Sequence, residues 1–409
     1  MAELLIVGAG AAGLMAAGAA LERGHTVTLL EHTEKPGQKL LITGKGRCNI
    51  TNNCDETTFL QNVRTNPRFL YSALYAFPPA KAMELFERLG VELKTERGRR
   101  VFPVSDKAEQ VRQALLSYAD GARLLLGEGA QELLLEEGRV VGVRTTKGRS
   151  LRADGVLIAT GGVSYQVTGS TGDGYKLAKQ AGHRIVPTVP SLCSMVSSDP
   201  DCAKMMGLAL KNVTLTLYRD KKAVFSELGE MLFTHFGISG PLTLMASSYI
   251  KDIEKHQWRA VIDLKPGLDE EQLYKRITQD FTLLAAKSVQ GALVKLLPAS
   301  MQPVMVQRWG VDPSLQANQV TREQKRALVH LIKHWEVPLT RRGDLAHAVI
   351  TAGGVDVKQV DPKTMESKLC PGLFFAGEVL DVDAYTGGYN LQIAWCTAQA
   401  AAAHFADQA

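Results

Sequence analysis

The chain has 409 residues, of which 45% are hydrophobic and 22% charged, and this composition excludes a disordered or fibrous protein and allows two to three domains. Its 47 Lys and Arg residues exceed the 42 Asp and Glu residues by only five, which does not by itself indicate a nucleic-acid-binding protein. The six Cys residues show no CxxC or Cys/His spacing, which argues against a disulfide scaffold or a bound metal and favours a reduced, cytoplasmic setting.

The first thirty residues predict a strand, a helix and a second strand. Residues 4–7 are an apolar run typical of a strand buried on both faces. After the glycine turn of residues 8–13, an Ala- and Leu-rich helical stretch extends to about Arg23, and residues 26–30 form the next apolar run. The uncharged segment 4–21 is long enough to cross a membrane, but no basic leader precedes it and its glycines have another explanation. We therefore predict neither a membrane span nor a targeting signal.

Three glycines between the first strand and the helix have the GxGxxG spacing of dinucleotide-binding folds. Gly8 permits a tight turn, Gly10 lets the backbone approach a pyrophosphate, and Gly13 lets the helix pack closely on the strand. Glu31 ends the second strand, where a carboxylate accepts hydrogen bonds from ribose hydroxyls. The alternative is a Gly-rich turn that binds nothing, but the complete order of strand, turn, helix, strand and acid favours a dinucleotide.

The segment after Glu31 favours FAD over a plain NAD site. Residues 43–52 are rich in Gly and in basic and amide side chains, and they offer donors along an extended cofactor. A solvated surface loop is the alternative. No second GxGxxG turn follows downstream, so we expect NADH or NADPH to bind only transiently, at the exposed flavin face or in an inserted region.

Two segments in the middle of the chain are typical of flavoproteins. Residues 122–147 alternate short apolar strands with turns and resemble the small meander of two-dinucleotide-fold flavoproteins. Residues 156–162 predict a buried strand that ends in a Thr-Gly-Gly turn suited to close approach of a nucleotide. Residues 169–175 then predict the start of a helix that Asp173 caps.

The C-terminal region predicts a last strand and a last helix. The strand over residues 372–378 ends at Glu378, whose carboxylate can hold ribityl or phosphate-linked hydroxyls, and an Ala-rich helix extends to His404. The helix begins at the glycine pair before Asn390, so its positive end can face flavin N1 and the C2 carbonyl, an effect of about 0.3–2 kcal/mol. A strand–turn–helix without a ligand is the alternative.

With these motifs the chain resembles a known family, the BaiN/RdsA (YhiN-type) NAD(P)/FAD-dependent oxidoreductases. The resemblance extends through nearly the whole chain and is carried by VGAGAAGL, KPGQKLLITGKGRCNITN, GRRVFPVSDKA, GEMLFTHFGISGP, AGGV and FFAGEVLDVDAYTGGYNLQIAWCTA. It implies an α/β fold with a Rossmann-like FAD-binding domain of the two-dinucleotide-fold type, interrupted by a β-rich domain and a small helical domain. The activities that it implies differ, namely reduction of uridine to dihydrouridine in ribosomal RNA, reduction of bile-acid enones, and oxidation of aminoacetone.

The pattern of the central residues fits that division of the chain. Short strands are predicted at 212–218, 258–263, 337–339 and 346–351, and the clearest helices at 272–281 and 322–335. The expected domains are a discontinuous FAD-binding domain of residues 1–188 and 351–409, a β-rich domain of residues 189–265 and 336–350, and a helical domain of residues 266–335.

The predicted FAD-binding residues lie in the glycine turns, the polar loop and the ends of the predicted strands. They are Gly8, Gly10, Ala12, Gly13, Glu31, His32, Lys39, Gly46, Arg47, Asn49, Ala130, Thr160, Gly161, Gly162, Gly377, Glu378, Asp381, Gly387, Gly388, Tyr389, Asn390 and Leu391.

Saturation of a polarised C=C bond needs hydride on one carbon and a proton on the next, and Cys48 and His235 are the two candidate acids. Cys48 follows Arg47, and a neighbouring cation would lower the pKa of its thiol. Arg47 itself is a candidate donor to a carbonyl or phosphate, as are Lys45 and Tyr389. The alternatives are a packing cysteine and a structural histidine, and no Cys pair has the spacing of a disulfide reductase.

Two basic clusters, Arg97–Arg100 and Arg322–Arg342, lie outside the predicted flavin-binding segments. Solvated faces are the alternative, but contact with the phosphates of ribosomal RNA is the sharper hypothesis. The leading prediction is therefore an FAD-dependent reductase of uridine in 23S ribosomal RNA that uses NADH or NADPH. A reductase of a small enone such as a steroid, an amine oxidase that uses O2, and an FAD-containing RNA-binding scaffold stay open as alternatives.

Overall fold

A computed structural model describes residues 2–406 of the chain. These residues form two compact units. The first unit joins the described residues up to Ser191 with those from Leu345 onwards, and the second unit is Leu192–Asp344.

The strands, in chain order, are β1 (Glu3–Val7), β2 (Thr26–Glu31), β3 (Thr51–Asn52), β4 (Val63–Thr65), β5 (Leu93–Glu96), β6 (Arg100–Pro103), β7 (Arg123–Leu126), β8 (Ala130–Glu136), β9 (Arg139–Thr145), β10 (Ser150–Arg152), β11 (Gly155–Ile158), β12 (Ile185–Ser191), β13 (Met195–Ser197), β14 (Ala209–Arg219), β15 (Lys222–Thr234), β16 (Gly237–Ser239), β17 (Trp258–Asp263), β18 (Trp335–Arg342), β19 (Ile350–Val355), β20 (Leu373–Phe375) and β21 (Asp383–Ala384).

The helices are α1 (Ala11–Glu22), α2 (Gln38–Ile42), α3 (Glu56–Gln61), α4 (Tyr71–Ala76), α5 (Pro79–Arg88), α6 (Ala108–Tyr118), α7 (Asp173–Gln180), α8 (Asp201–Lys204), α9 (Pro241–Ser247), α10 (Glu270–Leu283), α11 (Val289–Ala292), α12 (Gln302–Trp309), α13 (Arg322–Lys333) and α14 (Tyr389–His404).

The first unit is built on a five-stranded sheet with the order β20-β11-β1-β2-β7, in which every neighbouring pair is parallel. The apolar residues of β1 and β11 are buried on both faces, as the sequence predicts for a covered parallel sheet. The carboxyl ends of all five strands meet at one edge. In this sheet β2 lies on one side of β1 and β11 lies on the other side, so the strand order reverses at β1. Folds of this type bind nucleotides at the carboxyl ends of the strands beside such a reversal.

Two expectations for the first unit are wrong. The run at residues 122–126 is not part of a meander, because β7 extends the parallel sheet beside β2 and the antiparallel meander is β8-β9-β10 alone. Asp173 does not cap α7, because Gly172 takes the cap position with a φ of +80° and Asp173 is already the first helical residue. Its carboxylate instead accepts a hydrogen bond from Thr171 Oγ1 and pairs with Lys176.

The second unit contains a closed antiparallel barrel, in the order β13-β16-β15-β14-β17-β18, together with helices α8 to α13. Residues 266–335, for which the sequence predicts a separate helical domain, share one hydrophobic core with this barrel. The helix predicted to reach Trp335 ends at Lys333 instead, because Trp335, whose indole is buried, is the first residue of β18. Likewise, the strand predicted at 346–351 is displaced to Ile350–Val355.

Within residues 2–406, no helix combines the length and the apolar character that crossing a membrane would need. The same residues contain no group of three His, Cys, Asp or Glu side chains that could hold a metal ion.

Candidate functional site

The three glycines of the GxGxxG motif, Gly8, Gly10 and Gly13, have different surroundings where β1 meets α1. A Cβ at Gly8, whose φ is +103°, would lie 2.7 Å from Ala159 O, and a Cβ at Gly13 would overlap Gly8 O. These two glycines therefore allow β1, β11 and α1 to pack closely. A Cβ at Gly10 would meet no atom within 4 Å. Open space thus adjoins the start of α1, whose first N–H groups lack intrahelical acceptors, as binding of a pyrophosphate requires.

The carboxylate of Glu31 is held at the end of β2 beside the same turn. Its Oε2 accepts a hydrogen bond from Ala9 N (3.0 Å), and its Oε1 accepts from Thr33 N (2.9 Å) and Thr33 Oγ1 (2.8 Å). His32 Nδ1 lies 3.4 Å from Glu31 Oε1, and a Cβ at Gly169 would lie 3.2 Å from its ring. Contact of Glu31 and His32 with a ribose or a base stays a prediction.

The turn after β11 contains a buried polar atom that lacks a partner. Thr160 Oγ1 is shielded from solvent and has no hydrogen-bond partner among the described residues. Gly161 has a φ of +73°, and a Cβ there would meet no atom within 4 Å. A buried unpaired hydroxyl costs about 1–3 kcal/mol, and a hydrogen bond to a ligand would recover that cost. The unpaired hydroxyl and the open space at Gly10 and Gly161 fit a bound dinucleotide such as FAD.

Lys39 and Glu378, both predicted to bind the cofactor, form an ion pair with each other. Lys39 Nζ lies 3.0 Å from Glu378 Oε2 and donates a hydrogen bond to Ser164 Oγ (2.8 Å). Glu378 Oε1 accepts from Ser164 Oγ (3.1 Å) and from Thr351 N (2.8 Å). Gly162 must lack a side chain here, because a Cβ would overlap Thr351 Oγ1. No sequence pattern indicated Ser164 or Thr351, although Ser164 follows the Gly-Gly turn by only two residues.

The glycine pair before α14 is packed against the polar loop of residues 43–52. Gly388 has a φ of +96°, and a Cβ there would overlap the carbonyl of Thr51. Asn52 Nδ2 donates to Gly387 O (3.0 Å). With its amide oxygen turned towards α14, Asn49 accepts from Gly388 N (2.9 Å). The polar loop and the N-terminus of α14, both predicted to bind FAD, are therefore hydrogen-bonded to each other and closely packed.

Side chains of the first turn of α14 stabilise the segment that precedes the helix. Asn390 Oδ1 accepts from Ala384 N (3.0 Å), and its Nδ2 donates to Ala384 O (2.9 Å). The ring of Tyr389 packs edge-on against Phe59, and burial raises the pKa of Tyr389 to about 12. Gln392, which the sequence analysis missed, is fully buried and accepts a hydrogen bond from Thr51 Oγ1.

The remaining predicted cofactor residues also lie in the first unit. Gly377 has a φ of +77°, and a Cβ there would lie 2.9 Å from Ala12 Cβ, so this glycine lets α1 approach. Asp381 accepts hydrogen bonds from Asn66 Nδ2 through its carbonyl oxygen (2.7 Å) and its Oδ2 (3.1 Å). The others are Gly46 in the polar loop, Ala130 at the start of β8 and the half-buried Leu391 on α14. Their contact with FAD stays a prediction.

The expectation that Arg47 lowers the pKa of Cys48 is wrong. Cys48 is 0% exposed, and burial raises the pKa of its thiol to about 12. Arg47 Nη1 lies 2.8 Å from Glu96 Oε1 and 3.2 Å from Asp106 Oδ1, and its guanidinium lies 4.0 Å from the centre of the Phe102 ring. The cation is thus paired with two carboxylates, and the enclosed thiol is a poor acid.

His235 belongs to the second unit, whereas the predicted FAD-binding residues all belong to the first. It lies in the turn between β15 and β16, where its ring is exposed and contacts Phe236 edge-on. Its role as an acid stays a prediction.

The two basic clusters differ in how far their charges are paired. In the turn between β5 and β6, Arg97 and Arg99 are exposed and form no ion pair with the described residues, while Arg100 lies 4.0 Å from Glu96. The cluster at 322–342 is divided between α13 and β18, and carboxylates of the same unit pair with several of its cations. These pairs are Arg326 with Glu271, Lys333 with Asp263, and Arg341 with Asp344.

The chain is similar to a described family and to several characterised proteins. A family model for the HI0933-like protein Rossmann domain matches residues 2–404. Ribosomal RNA dihydrouridine synthases are 34% identical in Haemophilus influenzae and 30% identical in Escherichia coli, each over 98% of this chain and 97% of the relative. A 3-dehydro-bile acid delta(4,6)-reductase of Clostridium scindens is 29% identical over 97% of both chains.

Solved structures show the same fold at low identity. A 3-ketosteroid delta1-dehydrogenase of Sterolibacterium denitrificans matches with a TM-score of 0.52 and 14% identity, over 100% of both chains. An E. coli quinol fumarate reductase also matches with a TM-score of 0.52, at 16% identity, over 100% of this chain and 70% of the other. Together with the sheet order, these matches confirm the predicted Rossmann-like, FAD-binding fold.

Proposed function

The chain belongs to the HI0933-like Rossmann family of FAD-dependent oxidoreductases, and on this premise we propose that it reduces an activated C=C bond, with a uridine of 23S ribosomal RNA as substrate and NADH or NADPH as reductant. The family assignment agrees with the resemblance that the motifs carry.

The observation that carries the proposal is what the relatives' names have in common. Two relatives that match almost throughout are named ribosomal RNA dihydrouridine synthases, and a third is named a bile acid delta(4,6)-reductase. Formation of dihydrouridine saturates a C=C bond of uracil, and the third name also denotes reduction of C=C bonds. The shared reaction is therefore hydrogenation of a C=C bond, and the two names differ in the molecule that bears it.

The reaction divides into a hydride transfer and a proton transfer. When bound, FAD supplies the hydride that it receives from the nicotinamide. In uridine the hydride adds to C6 and a proton adds to C5, while negative charge develops on the C4 carbonyl and must be stabilised by donors. Thr160 and the first turns of α1 and α14 supply the chain's donors to the cofactor. Of the two candidate acids, His235 has an exposed ring, whereas the buried thiol of Cys48 is a poor donor.

The distribution of charge favours RNA over a small enone. Residues 192–344 contain 20 Lys and Arg and 16 Asp and Glu, whereas the rest of the chain contains 27 and 26. The second unit therefore carries four of the five net positive charges, which would attract a polyanion over a distance. A steroid-like enone stays the second candidate, because the C. scindens relative is nearly as similar as the two RNA-modifying ones.

The test is an assay with the FAD-loaded protein and NADH or NADPH. Unmodified 23S ribosomal RNA and a 3-oxo-Δ4 steroid are supplied in parallel, and the products are measured by mass spectrometry of the RNA nucleosides and of the steroid. We expect dihydrouridine in the RNA. Reduction of the steroid alone would support the second candidate, and peroxide release with an amine would support an oxidase. If neither NADH nor NADPH reduced the flavin, the reductase would be contradicted altogether.

A further inference from the structure

Helix α4 exposes two tyrosine rings that are stacked on each other. Its residues Ala73 and Leu74 are buried, whereas Tyr71 and Tyr75, four residues apart, are 56% and 45% exposed. Their ring centres are 4.6 Å apart and their planes differ by 24°. The rings cover one face of each other, so the exposed part of the pair consists of ring edges and outer faces. Exposed apolar patches on a folded protein often mark binding sites.

Cations without carboxylate partners lie at both ends of this helix. Arg68 lies just before α4, in the helical turn Pro67–Leu70, and Lys81 Nζ donates a hydrogen bond to Ala76 O (2.9 Å) at the end of α4. Both side chains are exposed, and neither forms an ion pair with any residue of 2–406. Helix α4 itself has no charged residue. The stacked rings and the two cations, here called the tyrosine platform, thus combine an aromatic surface with unneutralised positive charge.

The tyrosine platform is attached to the segment that leads into the predicted flavin site. The strand before it, β4, pairs with β21, with Thr65 opposite Asp383. Asn66 Nδ2 donates to Asp381 O (2.7 Å), and Gln392 Nε2 donates to Phe77 O (2.8 Å) directly after α4. The platform is therefore held on both sides to residues 381–392, which include the glycine pair before α14.

We propose that the tyrosine platform binds an unpaired base of an RNA substrate by stacking on an outer face of the Tyr71–Tyr75 pair, while Arg68 and Lys81 contact the adjacent phosphates. Single-stranded RNA is bound by this combination of aromatic rings for bases and cations for the backbone. A second copy of the chain would also cover the rings, but the unpaired cations at both ends favour a polyanion. The inference rests on the proposed function, because it identifies where an RNA substrate is held.

The experiment measures fluorescence anisotropy of a short labelled oligouridylate, single-stranded or paired with oligoadenylate, with the FAD-loaded protein. We expect the double variant Y71A/Y75A to bind the single strand at least about 5-fold more weakly, because stacking contributes about 1–3 kcal/mol per base. Y71F/Y75F, which keeps both rings, should bind like the wild type. Leu283→Ala, which removes a similarly exposed apolar side chain from α10, is the matched control and should also bind like the wild type.

The outcomes separate this inference from the proposed function. Unchanged FAD content and visible absorption of Y71A/Y75A would show that the variant folds. Equal binding by Y71A/Y75A and the wild type, or no binding by the wild type, would overturn the platform. So would loss of self-association in Y71A/Y75A without loss of RNA binding, because the rings would then join two copies. RNA binding that needs the rings, without dihydrouridine formation by the wild type, would support the platform and overturn the proposed function.

Discussion

Lys39 Nζ lies 3.0 Å from Glu378 Oε2, and this ion pair joins residues that are 339 positions apart in the chain. Ser164 and the backbone of Thr351 complete the hydrogen bonds of the carboxylate. The pair therefore holds α2, the turn after β11 and the segment after β20 at the nucleotide-binding edge of the sheet.

The first prediction concerns this pair. Lys39→Met should lower the free energy of unfolding by about 1–3 kcal/mol, because Glu378 would keep its charge in a partly buried place without the cation. Glu378→Gln should also destabilise. The double variant should lose less than the sum of the two, with a coupling of about 0.5–3 kcal/mol in urea unfolding. Strictly additive losses would show that the pair contributes no energy of its own.

Gly388→Ala should damage both the fold and the retention of FAD. The new Cβ would overlap the carbonyl of Thr51 in addition to the strain of a φ of +96°. Gly24→Ala is the control, because Gly24 has a φ of +80° but would meet no atom within 4 Å. We expect a loss of about 1–2 kcal/mol for the control and a larger loss for Gly388→Ala in denaturant unfolding. Equal losses would show that packing against Thr51 is unimportant.

Thr160→Val tests the unpaired hydroxyl. Val has nearly the same shape, so the FAD-free protein should be as stable as the wild type or more so, while the Kd for FAD should rise up to about 10-fold because one hydrogen bond is lost. Thr243→Val in α9 removes another buried hydroxyl that has no partner in the described part of the chain. It lies in the second unit and should leave the Kd unchanged. A Kd for Thr160→Val equal to that of the wild type would mean that Thr160 does not bind the cofactor.

His183 should make the protein less stable in acid. Its Nε2 lies 2.7 Å from Ser367 Oγ, and burial lowers the pKa of the imidazole from 6.5 to about 4. Below pH 6.5 the unfolded chain binds more protons at this residue than the folded chain. The stability that the neutral, buried imidazole contributes to the free energy of unfolding is therefore fully present above pH 6.5 and is lost as the pH falls towards 4. The loss is at most roughly 3 kcal/mol.

The measurement for His183 is the unfolding free energy as a function of pH. His183→Asn should flatten the slope between pH 6.5 and 4, whereas His347→Asn, which replaces an exposed histidine of the same unit, should keep it. An unchanged slope in His183→Asn would assign the acid sensitivity to other groups.

Local patterns were enough to predict the beginning of the fold. The prediction of a turn at Gly8, Gly10 and Gly13 between a strand and a helix was correct, because the conformation of such a segment depends on residues close together in the chain. The strand–turn–helix pattern near the C-terminus extended that prediction to the glycine pair before α14, and the family resemblance agreed with a flavoprotein fold.

Partners distant in the chain could not be predicted in the same way. The short apolar run of β7 suits a meander or a parallel sheet equally well, and only the space beside β2 decides between them. The cation next to Cys48 in sequence is paired in space with Glu96 and Asp106, and the thiol is buried, so the sequence led to the wrong direction for its pKa.

The sequence by itself thus determined the class of fold and indicated an FAD-binding fold, because glycine spacing and apolar runs act over a few residues. The tertiary structure decided which polar groups are paired and which are not. It pairs Lys39 with Glu378, encloses Cys48 and exposes Tyr71 and Tyr75, and it leaves the hydroxyl of Thr160 without a partner among residues 2–406. Burial and pairing depend on atoms that only folding brings together, and no pattern along the chain contains that information.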